Sequence, residues 1–436
     1  MEKGLTQSTT RLFETLCEPQ ALLAGFKTVK RNRGSPGIDG ISVTEFESRL
    51  SEELSQLSKE LENWIYKPKP VRRVEIPKPG KNAGVRILGV PCIRDRVVQS
   101  TIKQLLEPIL EPMFSPNSYG FRPNRNQSQA VDAALAIVKS GKEITVDIDL
   151  SKFFDRVSHD RLMSRLSQVV ADKRILRLIG ITLRSGVMSN GLLSPSFEGT
   201  VQGSPLSPLL SNFVLDELDK ELERRKLEFC RFADDCNIFV KSAKAGERVL
   251  QSIARFIENK LLLKVNWEKS KVSPANKVKF LGMTIVNESK AVSKASIERA
   301  MAKVKSLTPR GTYLSIENSI KEINRWYVGW ANYYKMTNYP SQLGKIESHI
   351  RRRLRSRMVG EHKRRRFLAD KLIKRGVGKG LAYKTVFSHR GRWDLSKTSA
   401  LHQAFSNDWF SGQGFRMVSD QRMEHWFGIR EWVKLA

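Results

Sequence analysis

VDIDLSKFFD, from Val146 to Asp155, and RFADDCNIFV, from Arg231 to Val240, are acidic stretches far apart in the chain that read as two halves of one metal site. In the first, Val146, Ile148 and Leu150 alternate with Asp147 and Asp149, the period of two expected of a half-buried strand. Asp149 then stands on the polar face near the strand's end. In the second, the apolar runs Leu227 to Ala233 and Cys236 to Val240 leave only Asp234 and Asp235 between them, which reads as a tight β-hairpin with two carboxylates at its tip. Either stretch alone says little, because Asp suits turns for purely structural reasons. Together they supply what in-line attack on an α-phosphate needs: two hard cations about 4 Å apart, held by carboxylates and substrate phosphates.

Composition narrows the partners. Lys and Arg number 76 against 45 acidic residues in 436, a formal charge of +31. That excess points to a polyanion. A membrane surface is the other candidate, but no apolar stretch approaches about 18 residues and Met1-Glu2-Lys3 opens no secretory pattern. Nucleic acid in a cytoplasmic (bacterial) setting is the expectation, with no membrane partner. Cys17, Cys92, Cys230 and Cys236 show no CxxC spacing, so reduced buried thiols are expected, without zinc or disulfides. His159, alone after the first acidic strand, reads as structural.

The flanking segments give the acidic strands a frame. Helical patterns run from Leu12 to Phe26 and from Glu45 to Trp64, separated by the loop NRGSPGIDG, Asn32 to Gly40. Short strands surround PKPGKNAG, a basic hairpin with Lys78, Lys81 and Arg86. SYGFRPNRNQSQA, Ser118 to Ala130, leads through Asn126 and Ser128 into a helix ending near Gly141. Between the acidic strands, Ser204 and Pro205 suit a helix start, with Leu209, Leu210, Phe213, Leu218 and Leu222 as its apolar stripe. KFLGMTI, Lys279 to Ile285, reads as a strand. From about Lys294 the pattern is helical and basic, with RWYVGWANYY at Arg325 to Tyr334 and the run RRRLRSRMVGEHKRRR from Arg351. Next to aromatic side chains on so basic a chain, that run reads as a phosphate-tracking surface.

IPKPG, VRILGVP, SYGFRPNR, VDIDLSKFFDRVSHD, VQGSPLSPLLSN, FADD, LKVNWEKSKV and KFLGMTI, in this order, resemble the reverse transcriptases encoded by bacterial group II introns, also called maturases. The resemblance implies a right-hand polymerase of α/β (α+β) class. Fingers and palm, with an antiparallel palm sheet, would fill 1–290 after an N-terminal extension at 1–65. A helical thumb or maturase domain would fill 291–365 and a small DNA-binding domain 366–436. No Cys- or His-rich nuclease motif follows, which is similar to the compact class lacking an endonuclease domain.

The resemblance also implies roles, position by position. Asp149, Asp234 and Asp235 would be the catalytic aspartates, with the Leu150 carbonyl as a further ligand to two Mg2+ ions and Mn2+ as a substitute. Lys78 and Arg86 would grip the nucleotide triphosphate, a point charge and a planar fork suited to the leaving pyrophosphate. Phe154 would exclude a ribose 2′-hydroxyl, and Gln202 would touch the nucleotide. Gly203, Lys269, Phe280, Leu281, Gly282, Arg325 and Trp330 would contact template or primer. The implied activity is RNA-directed DNA synthesis from dNTPs, with splicing and mobility of a group II intron RNA and a DNA primer or target as further partners. Phe232 replaces the commoner Tyr before Ala-Asp-Asp, and Ser204-Pro205 follows Gly203 where a second Gly is usual. An intron-independent enzyme of repair or phage defence, a mainly RNA-binding splicing cofactor, and an RNA-dependent RNA polymerase are the alternatives.

Overall fold

Local chemistry breaks the N-terminal helical pattern into pieces. A computed structural model describes residues 10–77, 84–189, 192–194, 198–362 and 364–419. Helix α1 (Leu12–Cys17) stops where Pro19 opens α2 (Pro19–Asn32), since proline suits a first turn and not an interior. Ser42 and Glu45 form a reciprocal capping box that starts α3 (Val43–Ser48), and α4 (Leu50–Glu62) follows. The loop between α2 and α3 is pinned down. A Cβ on Gly37 would lie 2.6 Å from the Cys92 Cα, and Arg72 donates twice to the Pro36 carbonyl at 2.8 and 3.1 Å.

Two compact units result, Met1–Pro274 and Ala275–Ala436. In the first, β1 (Val71–Pro77) and β2 (Val85–Val90) form the expected antiparallel hairpin. Its tip, with Lys78 and Lys81, lies outside the described residues. Helices α5 (Ile93–Leu110) and α6 (Gln127–Lys139) follow, the latter capped by Asn126 as its sequence foretold. Strand β3 (Ile144–Ile148) precedes α7 (His159–Leu166), α8 (Lys173–Leu183) and the short pair β4 (Val187–Ser189) and β5 (Leu192–Ser194). Helix α9 (Ser207–Arg224) buries the whole Leu209–Leu222 stripe. It begins at Ser207, with Pro208 in its first turn, rather than at Ser204. The Ser204 hydroxyl instead donates to the Gln99 side chain at 2.9 Å and accepts from the Leu206 N–H.

Strands β6 (Glu228–Phe232), β7 (Asp235–Val240) and β8 (Lys271–Pro274) join β3 in an antiparallel sheet ordered β6-β7-β3-β8. Helix α10 (Ala243–Asn259) packs on it through Leu250, Ile253 and Ile257. All four cysteines are free and buried, and burial lifts the Cys230 thiol to about 12. The His159 Nε2–H donates to the Gly199 carbonyl at 2.6 Å inside this core, a structural placement.

The second unit opens with the hairpin β9 (Met283–Val286) and β10 (Ser289–Val292). Only the last part of KFLGMTI is therefore strand. Long helices α11 (Lys294–Leu307), α12 (Ile316–Tyr334) and α13 (Ser341–Glu361) follow. Then come α14 (Arg365–Lys374), α15 (Lys379–Val386), α16 (Arg392–Leu395), α17 (Ser399–Ala404) and α18 (Asn407–Gly412). One apolar cluster, from Ala300 to Val418, runs through both the long and the short helices, so no separate core begins near 366. Among the described residues no helix is long and apolar enough to cross a membrane.

Part of the arginine run at 351 is a correction, while Arg364, Arg365 and Arg366 of the same run are exposed. Arg351, Arg355 and Arg357 are buried on α13 and do not form a surface. Arg355 donates to the Phe405 carbonyl at 2.9 and 2.8 Å, and burial lowers its pKa to about 10. Arg357 donates to the Ser319 hydroxyl and the Leu314 carbonyl. Guanidinium forks here close off backbone and hydroxyl acceptors at helix ends, Phe405 after α17 and Leu314 and Ser319 at the start of α12.

Asp95, in the first turn of α5, gives the first unit a pH signature. It is buried, accepting from the Tyr66 hydroxyl at 2.7 Å and the Lys69 N–H at 3.1 Å. Burial raises its carboxyl from 3.8 to about 6 despite those bonds. The folded chain thus holds a proton that the unfolded chain releases in this interval, so stability falls as pH rises through it and the loss persists above it. Asp95→Asn is expected to flatten the urea-unfolding free energy between about pH 4 and pH 6 relative to the parent chain. An unchanged slope would remove Asp95 as its source.

Candidate functional site

The register of the central sheet brings the acidic residues together. Ile148 pairs with Cys236 and Phe232 with Asp235, so the next step beyond β3 sets Asp149 across from Asp235. Directly opposed residues on neighbouring strands sit about 5 Å apart and face the same side. The hairpin is tighter than its sequence suggests. Only Ala233 and Asp234 form the turn, and Asp235 is the first residue of β7. Ala233 has φ of 58°, a conformation that a two-residue hairpin usually gives to glycine.

Asp149 is gripped from its other side by the segment before β8. The Asn266 N–H donates to the Asp149 carbonyl at 2.8 Å, and the Asp149 N–H donates to the Ser270 hydroxyl at 3.0 Å. With the Ser151 N–H on the Lys264 carbonyl, these bonds flank Leu150 and use neither of its own backbone groups. The Lys269 ammonium lies 3.9 Å from the Asp149 carboxylate, both partly in solvent.

Charge crowding is visible in Asp234. Although Asp234 is exposed at the turn, desolvation by the neighbouring chain raises its carboxyl above the ordinary value, and Asp149 raises it further; Arg86 and Arg231 pull it down. Arg86 on β2 is therefore close enough to act on the turn. Asp147, on the same strand as Asp149, is pushed up to about 6, mainly by burial. The donors available are all hard oxygens: the carboxylates of Asp149, Asp234 and Asp235 and the Leu150 carbonyl. Such a set suits Mg2+, which binds through one or two carboxylates and keeps places for water and substrate phosphates. Among the described residues, no three acidic, imidazole or thiol groups close into a ready-made cage.

The other residues singled out by sequence fall as follows. The Gly89 N–H of β2 donates to the Gln202 carbonyl at 2.8 Å, tying this loop to the strand that carries Arg86. Gly203, with φ of 118°, has its missing Cβ position 2.6 Å from the Gly89 carbonyl, so its close approach is to the chain itself. Phe154 is half-buried, edge-on to Phe153 at 5.3 Å, and its carbonyl accepts from the Thr200 N–H. Lys78 lies outside the described residues.

Phe280, Leu281, Gly282, Arg325 and Trp330 belong to the second unit. Phe280 and Met283 exchange backbone hydrogen bonds around a turn in which Leu281 (φ 51°) and Gly282 (φ 79°) are both left-handed. The Tyr333 hydroxyl donates to the Leu281 carbonyl at 3.0 Å, and a Cβ on Gly282 would strike the Tyr334 hydroxyl at 2.4 Å. Arg325 is exposed and paired with Glu322. Trp330 packs between Trp326 and Tyr334, with centroids 6.0 and 4.6 Å away.

Sequence reasoning missed the support beneath the turn. Arg231 is fully buried and grips the equally buried Asp219 of α9 through two bonds of 2.7 and 2.5 Å. Its remaining nitrogen reaches the Asn212 side chain at 3.1 Å and the Ala233 carbonyl at 2.8 Å. Asn212 in turn donates to the Gly120 carbonyl, and a Cβ on Gly120 would lie 2.2 Å from the Ala233 nitrogen. The available signal was a charged residue inside an otherwise apolar strand, with Asp219 interrupting the face of a helix.

The comparisons with known proteins agree in kind. The family described as "Reverse transcriptase (RNA-dependent DNA polymerase)" matches residues 76–285, and "Group II intron, maturase-specific domain" matches 297–376. Protein YkfC of Escherichia coli K12 is 32% identical over 345 residues, 68% of this chain and 90% of that protein. The group II intron-encoded protein LtrA of Lactococcus lactis is 30% identical over 233 residues, 53% of this chain and 38% of LtrA. The chain thus matches well under half of LtrA's length. A chain of a partial Cas6-RT-Cas1–Cas2 complex shares 26% identity and a TM-score of 0.37, covering 57% of this chain and 42% of its own, too slight a likeness to argue from.

Asp219→Ala is expected to cost about 3–5 kcal/mol in urea unfolding, because it leaves the Arg231 guanidinium buried and unpaired. Replacing both partners by apolar residues of similar volume should recover most of that loss. A single-variant loss below about 1 kcal/mol would show that the pair does not bear the turn.

Proposed function

We propose a function from one premise: this chain belongs to the reverse transcriptases that carry a group II intron maturase-specific domain, RNA-directed DNA polymerases of intron type. Its first unit holds the fingers and palm of a right-hand polymerase, the sheet β6-β7-β3-β8 being the palm. The finer reading is that it extends a DNA primer on an RNA template with dNTPs, using Asp149, Asp234 and Asp235, and assists the splicing and mobility of a group II intron RNA. The single observation that carries the site assignment is the register that sets Asp149 opposite Asp235, beside the Asp234 turn.

Two Mg2+ ions, with Mn2+ as a substitute, are the cofactors this donor set fits. When bound, they lower the pKa of the primer 3′-hydroxyl and offset the charge on the leaving pyrophosphate. The protein's part is positional and electrostatic. Desolvation first, and then repulsion from Asp149, raise the Asp234 carboxyl in the metal-free chain; a cation placed between the two carboxylates relieves that repulsion. Lys269 screens Asp149 at 3.9 Å on a flexible, exposed stem that can swing aside when a cation takes its place. Arg86 already acts electrostatically on Asp234, so an anionic triphosphate drawn to its guanidinium arrives at the turn. Asp235, held in β7, supports the turn from the strand side.

Phe154 supports the choice of deoxynucleotides. It is fixed by its neighbour Phe153 and by the Thr200 bond to its carbonyl, so its ring cannot give way easily to a 2′-hydroxyl. The turn at Leu281-Gly282 and the exposed Arg325 are the primer and template contacts we assign to the second unit. Trp330 is assigned to the same surface through its half-buried edge.

Asp234→Ala is expected to abolish extension of a DNA primer on an RNA template, read on a sequencing gel, while RNA affinity by filter binding changes less than about threefold. Retained synthesis would refute the site. Phe154→Ala should admit ribonucleotides, lowering the dNTP over rNTP ratio of kcat/KM by at least about tenfold. A parent enzyme that prefers rNTPs would reverse the substrate assignment.

A further inference from the structure

A cavity of about 650 Å³ opens in the second unit between the end of α11, the Thr308–Arg310 loop, α13 and the start of α16. Lys305, Arg310, Arg353, Arg357 and Arg392 line it together with His349, and no carboxylate does. Where the donors of these cations go is the deciding question. Arg357 is committed elsewhere, to Ser319, Leu314 and Glu361. Arg353 is held in place by two bonds to Thr308, one to its hydroxyl and one of 2.7 Å to its carbonyl. The side chains of Lys305, Arg310 and Arg392 make no hydrogen bond or ion pair among the described residues. One wall is the indole of Trp393, over which the Arg352 guanidinium lies 3.8 Å from the ring centroid.

Like charges gathered in a concavity without a counterion focus a positive potential into it. The neighbours register this: His349 is held below its ordinary pKa by burial and then by Arg353 and Arg352, and Arg353 by burial and then by Arg310. An anion would relieve the crowding. The volume lies within the range of small-ligand sites, enough for a nucleotide and too small for a duplex. The cations are also graded by depth. Arg353 and Arg392 are half-buried, whereas Lys305 and Arg310 stand exposed at the rim. A chain of phosphates entering the cavity uses both tiers, and a compact free anion uses one. An aromatic wall beside phosphate-binding cations is the combination that holds an unstacked base.

We propose that this cavity binds one unstacked nucleotide of a single-stranded nucleic acid, its phosphate held by Arg353 and Arg392, the flanking phosphates passing Lys305 and Arg310, and its base set against Trp393. The inference goes beyond the palm assignment and does not need it, because binding is read without synthesis. A chain that fails to polymerise but binds here separates the two.

The test uses the full chain, fluorescence anisotropy, and labelled oligo(U), oligo(dT) and an RNA duplex. Arg310→Gln with Arg392→Gln should weaken single-strand binding about tenfold and reduce the salt slope by about 0.7 for each phosphate no longer neutralised, leaving the duplex nearly unchanged. Trp393→Ala should weaken the single strands alone. Lys305→Gln with Arg310→Gln, both exposed, serves if the first pair disturbs folding by circular dichroism. A strand carrying 4-thiouridine should photocrosslink to peptides spanning 301–310 or 391–393. A stronger effect on oligo(U) than on oligo(dT) identifies RNA as the source, and the reverse identifies DNA. Unchanged single-strand affinity, equal weakening on the duplex, crosslinks only outside these peptides, or displacement of the strand by free nucleoside triphosphate at equal concentration would each overturn the proposal.

Discussion

The ion pair between Arg231 and Asp219 is the constraint on which the acidic site depends. Both groups are out of reach of solvent, and an isolated charge there would be prohibitively costly. What makes the pair useful is the nitrogen left over. It fixes the Ala233 carbonyl, and through Asn212 the same network reaches Gly120 on the loop beneath. A turn whose first residue is a strained alanine is thereby over-determined from below. The carboxylate of Asp234 is placed by the packing of α9 against the sheet, not by its own turn propensity.

Much of this architecture could be read from the chain, and the reasons for the exceptions are physical. The alternation Val146-Asp147-Ile148-Asp149 declares a half-buried strand, and the apolar runs around Asp234-Asp235 declare a hairpin. Helix α9 announces itself by its Leu and Phe stripe. Register was not legible, because it is set by partners on other strands; so the turn proved to hold Ala233 and Asp234, and Asp235 proved to begin β7. Ser204 looked like an N-cap but spends its hydroxyl on Gln99, a tertiary partner about a hundred positions away.

The arginines show the same limit more sharply. A net charge of +31 invites the view that every basic run faces a polyanion. Yet Arg351, Arg355 and Arg357 are interior: Arg355 closes the Phe405 carbonyl after a short helix, and Arg357 closes the Leu314 carbonyl and the Ser319 hydroxyl. A guanidinium has five donors in a rigid fork, and a small helical module rich in loop carbonyls has many acceptors to satisfy. Composition counts these cations as if they were on the surface. The charge available to a nucleic acid is smaller than the sum suggests and is concentrated where donors remain uncommitted.

Backbone strain marks both turns to which function has been assigned, and each strained turn is braced by side chains from elsewhere in its own unit. Ala233 sits at φ of 58° above Gly120 and Arg231; Leu281 sits at φ of 51° with its carbonyl held by Tyr333 and with Gly282 pressed on Tyr334. A non-glycine residue in this region costs about 1–2 kcal/mol, which a freely chosen glycine would avoid. The strain persists because the braces exceed it, and a braced turn resists the displacement that an approaching phosphate chain would impose. The tyrosines of RWYVGWANYY thus act first on the protein's own backbone. Their apparent signature as a nucleic-acid stacking surface is, at Tyr333 and Tyr334, a device for holding one turn still.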